Sequence, residues 1–465
     1  MHTHHAYVGN DSITSMNTEV QDIVDAGYHF EVTRYRWVVC LLLGLNIMGR
    51  AIANVGFASI AKILIEIYGI NTIHTTLTVL PFNFMVLFFI LPYNYICQKY
   101  GFRIPTYVAV IAAVIGGWVR IGINSSFWFV ILGQAIIAIG NPLTLVAPAK
   151  IAAIWFGDDQ RALATMVCSL MNPIGAVIGF ILPFMFVGDD DAIDTEASRN
   201  KVRTYIIVQN VILMATSIPI FFFIKNKPEV APSISALKTL HEKSEGTWIN
   251  IKKLINNKDY MLLLVAFAGV FSIYVCFGAV MAPLNAMFGF KPSSNQFFGA
   301  SYIVFGVVGS FVHATLLDKY KTYKKQMYFI SIANILALAL MTSTIHLANV
   351  PLSVAIVALF GAAQLPIIGV GYQFATELAY PINENISVGF LQFVTCFVGI
   401  VFTFITSFLV KIDAKYWALL SFGVPSIISL VCLYFLTETL NKHRLSLLYS
   451  SSIRDSKVSD LSTED

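Results

Sequence analysis

The chain has 465 residues, of which 57% are hydrophobic and only 12% charged, with 36 Phe and a formal net charge of +4. So apolar a composition excludes a soluble globular protein and points to a polytopic membrane protein. Basic residues in such a chain record topology, so the small positive balance gives no reason to expect nucleic acid as a partner.

Residues 1–33 are polar and lack the apolar core of a cleavable signal peptide, so the first apolar segment is expected to direct insertion. The cluster His2, His4 and His5 in this tail reads as incidental rather than metal-binding. Apolar segments long enough to cross a hydrocarbon core of about 30 Å follow at 37–62, 76–97, 104–123, 127–149, 162–187 and 203–224, then at 260–288, 296–317, 326–346, 350–378, 386–410 and 415–437. Between the sixth and seventh lies a polar stretch, 225–259, too hydrophilic to span. The expected organisation is an all-α membrane protein of twelve transmembrane helices: tail 1–36, six-helix bundle 37–224, interdomain linker 225–259, six-helix bundle 260–437 and tail 438–465. Cys40, Cys97, Cys168, Cys276, Cys396 and Cys432 all fall in or beside apolar segments, without metal-ligand spacing, and read as reduced packing residues. Neither a metal nor a cofactor is expected.

In the first segment, LNIMGRAIANVGF (45–57) spaces Asn46, Arg50 and Asn54 four residues apart, close to one helix face. Counting about 1.5 Å per residue from Trp37 puts Arg50 about 20 Å into the membrane, too deep for easy snorkelling. A guanidinium there costs at least about 2.5–3.5 kcal/mol and needs partners or water. The one clear membrane carboxylate, Glu377, falls late in the tenth segment, too near the membrane face for a direct ion pair. Two readings are open. Either the counter-charge is the substrate's own carboxylate, which a guanidinium grips through two parallel hydrogen bonds, or Arg50 is satisfied by backbone carbonyls and neighbouring amides such as Asn172.

Further along, Gln134 and Asn141 lie seven apart and face one side of the fourth segment, Asn285 lies near Pro283, and Gln364 and Gln373 flank IIGVG in the tenth. Helix breaks are expected near Pro173, Pro283 and Pro366, and a membrane tolerates the freed backbone only where protein or a watery cavity satisfies it. Asn172, Asn285 and Gln364 are therefore expected to line a pocket, with helix–helix ties as the alternative. His313 reads as a buried structural imidazole ahead of a titrating one. Basic residues collect in alternate loops: the N-terminal tail, 98–103, 150–161, seven Lys in 225–259, four in 318–325, and the C-terminal tail. The remaining loops hold eight, Arg120 among them. The positive-inside rule then puts both termini in the cytoplasm, of either the plasma membrane or an organelle.

Six plus six segments about a central linker are similar in layout to the major facilitator fold, two bundles rocking about a midplane site. Facilitators carry a loop between helices 2 and 3, repeated between 8 and 9, whose acidic residue and basic partners latch a gate. Here the second copy, ATLLDKYKTYKK, has Asp318 and Lys319, whereas the first, NYICQKYGFR, has Gln98 at the acidic position, then Lys99 and Arg103. The alternative is that these charges only fix topology. KIAAIWFG (150–157), NPIGAVIGFILP (172–183), PLNAMF (283–288), GVVGSFVHATLLDKYKTYKK (306–325), QFATELAYP (373–381) and VGFLQFVTCFVGIVFTF (388–404) resemble the feline leukaemia virus subgroup C receptor family, the haem and choline/ethanolamine transporter group, from about residue 36 to 437.

The resemblance implies a transporter of a small organic solute by alternating access, with that solute and the lipid bilayer as partners and a monomer as the expected state. In the choline-carrying relatives a tryptophan in helix 1, a tyrosine in helix 7 and glutamines in helices 5 and 11 cage a quaternary ammonium by cation–π attraction. Those positions fall on Asn54, Gly278, Pro173 and Cys396, and none survives; Tyr274, one turn before Gly278, is the candidate replacement wall. With Arg50, the expectation is a facilitated anionic substrate, haem-like or a small carboxylate. A choline/ethanolamine or pyridoxine-like substrate, with proton coupling, is the alternative, and a non-transporting receptor or scaffold the competing class. The expected substrate site is Asn46, Arg50, Asn54, Asn172, Tyr274, Asn285, Gln364 and Gln373. The expected gate is Lys99, Arg103, Asp318, Lys319 and Glu377, the last read as a structural acid. Walker, Rossmann, HExxH and nucleophile-elbow motifs are absent, so no enzyme is expected.

Overall fold

The computed structural model describes residues 33–438 apart from 158–159, 194, 231, 233–246, 321, 380–381 and 383. The expectations for the histidine tail, for the middle of the linker and for the C-terminal tail lie outside the described residues, as does the Asp318 side chain. Among the described residues, twelve helices are long and apolar enough to cross a membrane. Lipid offers no water to backbone groups, so each apolar run closes its own hydrogen bonds as a helix.

The first span is α1 (Tyr35–Val55), followed by the short α2 (Ala61–Tyr68) and α3 (Thr72–Thr76). The second and third spans are α4 (Leu80–Tyr100) and α5 (Arg103–Arg120), and the fourth is divided into α6 (Trp128–Ala138) and α7 (Asn141–Trp155). The fifth and sixth are α8 (Arg161–Ile181) and α9 (Glu196–Phe223). The linker contains a helix of its own, α10 (Thr247–Asn256), ahead of α11 (Lys258–Met287), the seventh span. There follow α12 (Ser294–Tyr320), α13 (Tyr323–Thr344), a divided tenth span α14 (Val350–Gln364) and α15 (Pro366–Ala379), then α16 (Glu384–Lys411) and a divided twelfth, α17 (Lys415–Ser421) and α18 (Gly423–Phe435). Side-chain oxygens cap several starts: Thr195 accepts from Ser198 N at 3.1 Å, Asn257 from Tyr260 N at 3.1 Å and Asn349 from Leu352 N at 3.1 Å.

Of the three prolines expected to break helices, only Pro366 does so, as the first residue of α15; α8 runs unbroken through Pro173 and α11 through Pro283. A proline removes a single amide, a loss that a span packed among other helices can absorb.

The first six spans pack on one another, as do the last six. Both ends of the described chain lie on one face of the bundle, here the terminal face; the other is the distal face. Over the distal half the two bundles share one core, in which Ala58, Val79, Ala176 and Phe180 pack with Ile273, Leu284, Phe298 and Phe422. Towards the terminal face each bundle keeps a separate core, Val39, Tyr93, Trp155 and Ile220 in one and Tyr260, Leu263, Phe374 and Leu433 in the other. The cleft between the bundles therefore opens towards the terminal face.

Polar contacts reinforce the distal closure. The Asp189 carboxylate accepts from Ser293 N at 2.8 Å and from Ser293 Oγ at 2.5 Å, Asn295 Nδ2 donates to the Ser59 carbonyl at 3.3 Å, and the Thr76 and Ser407 hydroxyls lie 3.2 Å apart. On α12, Gly299 is needed where Phe180 crosses: a Cβ there would lie 2.3 Å from the ring.

Candidate functional site

Between Leu263 and Leu284, α11 is buried except at Val265, Tyr274 and Gly278. Tyr274 and Gly278 are half-buried and one turn apart, so they share a face. A Cβ added at Gly278 would meet no atom within 4 Å, so open space adjoins the Tyr274 ring. That ring lies 5.5 Å from Phe271 and is stacked 6.4 Å from Tyr302. Phe267 continues the aromatic series to Tyr372 on α15, at 5.5 Å.

From Tyr372 a polar chain crosses between the bundles. Its hydroxyl donates to Gln392 Oε1 at 2.5 Å, Gln392 Nε2 donates to Cys396 Sγ at 3.6 Å, and Cys396 faces Asn83 Oδ1 on α4 at 4.0 Å. Val86 and Ile90 pack against Cys396 around this crossing. None of these side chains is a carboxylate or a basic group. They offer aromatic faces, a hydroxyl, amides and a thiol, which suits a cation or a neutral polar solute and supplies no positive charge to an anion.

Arg50 lies elsewhere. It is 1% exposed and sits inside the first bundle, where Nε donates to Asn46 Oδ1 at 3.2 Å, Nη1 to the Ile137 carbonyl at 2.7 Å and Nη2 to the Ala109 carbonyl. Asn46 in turn donates to Ser217 Oγ at 2.8 Å. Ile137 lies in the last turn of α6, whose end carries partial negative charge that a cation neutralises, whereas Ala109 lies within the unbroken α5. Gly140 makes the room, because a Cβ there would lie 2.4–2.5 Å from the guanidinium. Of the two readings open for Arg50, this is the one in which carbonyls and an amide satisfy it. The expected substrate contact is replaced because its donors are turned away from the cleft.

A family model described as the Major Facilitator Superfamily matches residues 39–403. The chain belongs to the major facilitator superfamily. Among curated relatives, this facilitator is 28% identical over 385 residues to the choline/ethanolamine transporter flvcr2a of Danio rerio, covering 80% of each chain. It is 23% identical over 380 residues to an uncharacterized MFS-type transporter of Caenorhabditis elegans, covering 81% of this chain and 64% of that one. Among solved structures, a bacterial homolog to the human lysosomal transporter Spinster aligns with a TM-score of 0.68 at 14% identity, over 89% of this chain and 99% of the other. The chain is thus a multi-pass facilitator for a small molecule, and the family resemblance read from its motifs stands.

Within this facilitator the other expected site residues scatter. Asn54 and Asn172 are half-buried, and Asn54 Oδ1 has no hydrogen-bond partner. Gln373 is exposed on α15, one turn beyond Gly369, where a Cβ would also meet nothing within 4 Å. Gln364 is a tie between helices, not a cleft residue, since it is fully buried and its Nε2 donates to the Val270 carbonyl at 2.6 Å. Asn285 donates to Asn295 Oδ1 at 3.0 Å and lines a small pocket with Phe290, Phe298 and Thr344 inside the second bundle, apart from Tyr274. Gln134 Nε2 donates to the Ala53 carbonyl at 2.9 Å, Asn141 to that of Phe82 at 2.9 Å, and His313 lies 3.1 Å from the Gln326 amide.

At the expected gate, Lys99 lies over the Tyr95 and Tyr100 rings, Arg103 over Tyr107 and Lys319 over Tyr320, all three exposed. Arg103 N also donates to Asn226 Oδ1 at 2.8 Å. Glu377 is buried at 7% exposure. Arg120, counted among the loop charges, is instead fully buried: Nη1 donates to Gln134 Oε1 at 3.2 Å and Gln209 Oε1 at 2.8 Å, and Nη2 to Asn210 Oδ1. The adjacent amides of Gln209 and Asn210 in an apolar segment were the signal for it. The Tyr372–Gln392 pair had no comparable signal, because its halves lie 20 residues apart on different spans.

Proposed function

We propose that this facilitator carries a small organic cation of the choline/ethanolamine class down its gradient, by alternating access, with both ends of the chain in the cytoplasm. The observation that carries the substrate class is Tyr274 beside the open space at Gly278, continued to Tyr372 and Gln392 by groups that are all uncharged. An aromatic face attracts a cation by about 2 kcal/mol when desolvated. The relative of Danio rerio, a choline/ethanolamine transporter, supports the same class. The anionic substrate expected from Arg50 loses its basis once the guanidinium bonds to carbonyls. Facilitated diffusion rests on the scarcity of membrane carboxylates, and the orientation on the lysines of alternate loops.

Uptake by the purified chain in vesicles tests this reading. Choline or ethanolamine should enter saturably, with lower affinity than in relatives that keep the full aromatic cage, by more than about 1 kcal/mol. Tyr274→Ala should weaken apparent affinity about thirtyfold, the equivalent of about 2 kcal/mol. Saturable uptake of haem or a carboxylate, with choline and ethanolamine inert, overturns it.

A further inference from the structure

Helix α10 lies against the second bundle by one side only. Asn250, Ile251 and Leu254 are buried there, the last two in a core with Tyr260, Leu263 and Leu391. The opposite exposure is unusual for a linker: Trp248 is 78% exposed, and Ile249 and Ile255 are exposed with it. Trp248 and Ile255 are seven residues apart and share a stripe beside the buried side. Lys252, one turn from Trp248, is exposed, and so is Lys258 at the start of α11.

The position of this helix is fixed. Only Asn257 separates it from the seventh span, and the Asn257 side chain accepts from Tyr260 N at 3.1 Å and donates to the Leu378 carbonyl at 3.0 Å. The apolar stripe is thereby held where a membrane-crossing helix begins, which is the depth of the lipid headgroups. A helix that presents tryptophan and isoleucine beside lysine at that depth has the composition of an interfacial anchor.

We propose that α10 is a docking surface for anionic phospholipid: Trp248 and Ile255 enter the headgroup–acyl boundary of the terminal-face leaflet, and Lys252 and Lys258 pair with lipid phosphate and carboxylate. Charge complementarity selects the partner, since each lysine near an anionic leaflet attracts it and a neutral one does not. Asp259, next to Lys258 in the chain, accepts from Thr437 N at 2.9 Å.

The full chain is reconstituted in vesicles of phosphatidylcholine alone or with phosphatidylserine, and Trp248 emission is isolated as the difference between the parent and Trp248→Phe. Lipids brominated on the acyl chains should quench it. Added phosphatidylserine should deepen the quenching, and salt should reverse that gain. The double variant Lys252→Gln/Lys258→Gln should keep its melting temperature and its quenching in phosphatidylcholine, while its preference for phosphatidylserine falls about fivefold per charge removed. An equal phosphatidylserine response in the double variant overturns the proposal. So does quenching of Trp248 by aqueous acrylamide with no effect of brominated lipid, which would leave the face to a soluble protein.

Discussion

Asp189 joins the two bundles at the distal face, and its removal should tip the carrier towards opening there. Both of its oxygens are engaged by Ser293, one by the backbone amide and one by the hydroxyl. Ser293 immediately precedes α12, so the carboxylate also sits at the positive end of that helix. Hydrogen bonds to a charged group contribute about 1.5–3 kcal/mol each, and water at this half-buried site reduces the pair to about 2 kcal/mol in total. Asp189→Ala should therefore shift the balance of facing states about thirtyfold towards the distal-open one. Asp189→Asn, which keeps an acceptor, should shift it less. A reporter is available at Gly278, where an added side chain meets open space. Five native cysteines are buried, so Cys432→Ser leaves a low background. In sealed vesicles an impermeant maleimide applied at the distal face should label Gly278→Cys faster when Asp189→Ala is also present. Equal labelling at equal expression would refute the latch.

Arg50→Gln should lower the melting temperature without altering which solutes compete for uptake, because it takes a buried donor from the Ile137 and Ala109 carbonyls at a cost of about 1–3 kcal/mol. Gly140→Ala should produce the same loss by crowding the guanidinium, and thermal scans of both variants check it. At the distal loop, burial alone would raise the Asp191 carboxyl, but the Lys201 ammonium at 2.7 Å and the Gly188 amide outweigh it and hold the group below its usual range. A depressed carboxyl contributes stability above its unfolded pKa, about 4, and loses it as pH falls through the folded value. The melting temperature of the parent should thus approach that of Asp191→Asn as the medium is acidified below about pH 4.

The spans were legible in the sequence because length and apolarity decide membrane crossing almost alone. Their interruptions were less so: Pro173 and Pro283 carry the strongest local signal for a break, yet α8 and α11 run through them. At Arg50 the four-residue spacing put Asn46 on the same face, and Asn46 rather than the expected Asn172 is the amide that accepts from it; its other partners are main-chain carbonyls, which every residue has and no residue type announces. Tyr274 is legible because an aromatic stands one turn from a lost cage position. Gln392 is not legible, because its meaning comes from Tyr372, which only the packing of α15 on α16 supplies. In α10, the same lysines that marked the linker as polar hid the apolar stripe beside them.

The core shared by the two bundles over the distal half has a kinetic consequence. To reload from that side the carrier must split a contact in which Ala58, Val79, Ala176 and Phe180 of the first bundle pack into the core of the second, Phe180 against Gly299, and wetting these apolar side chains opposes the step. An empty carrier has only thermal motion to drive the separation, whereas a loaded one offsets part of the penalty through differential binding of its passenger. The unloaded return should thus be the slow leg of the proposed cycle. One-for-one exchange of labelled for unlabelled solute across the bilayer should outrun net filling of an empty vesicle.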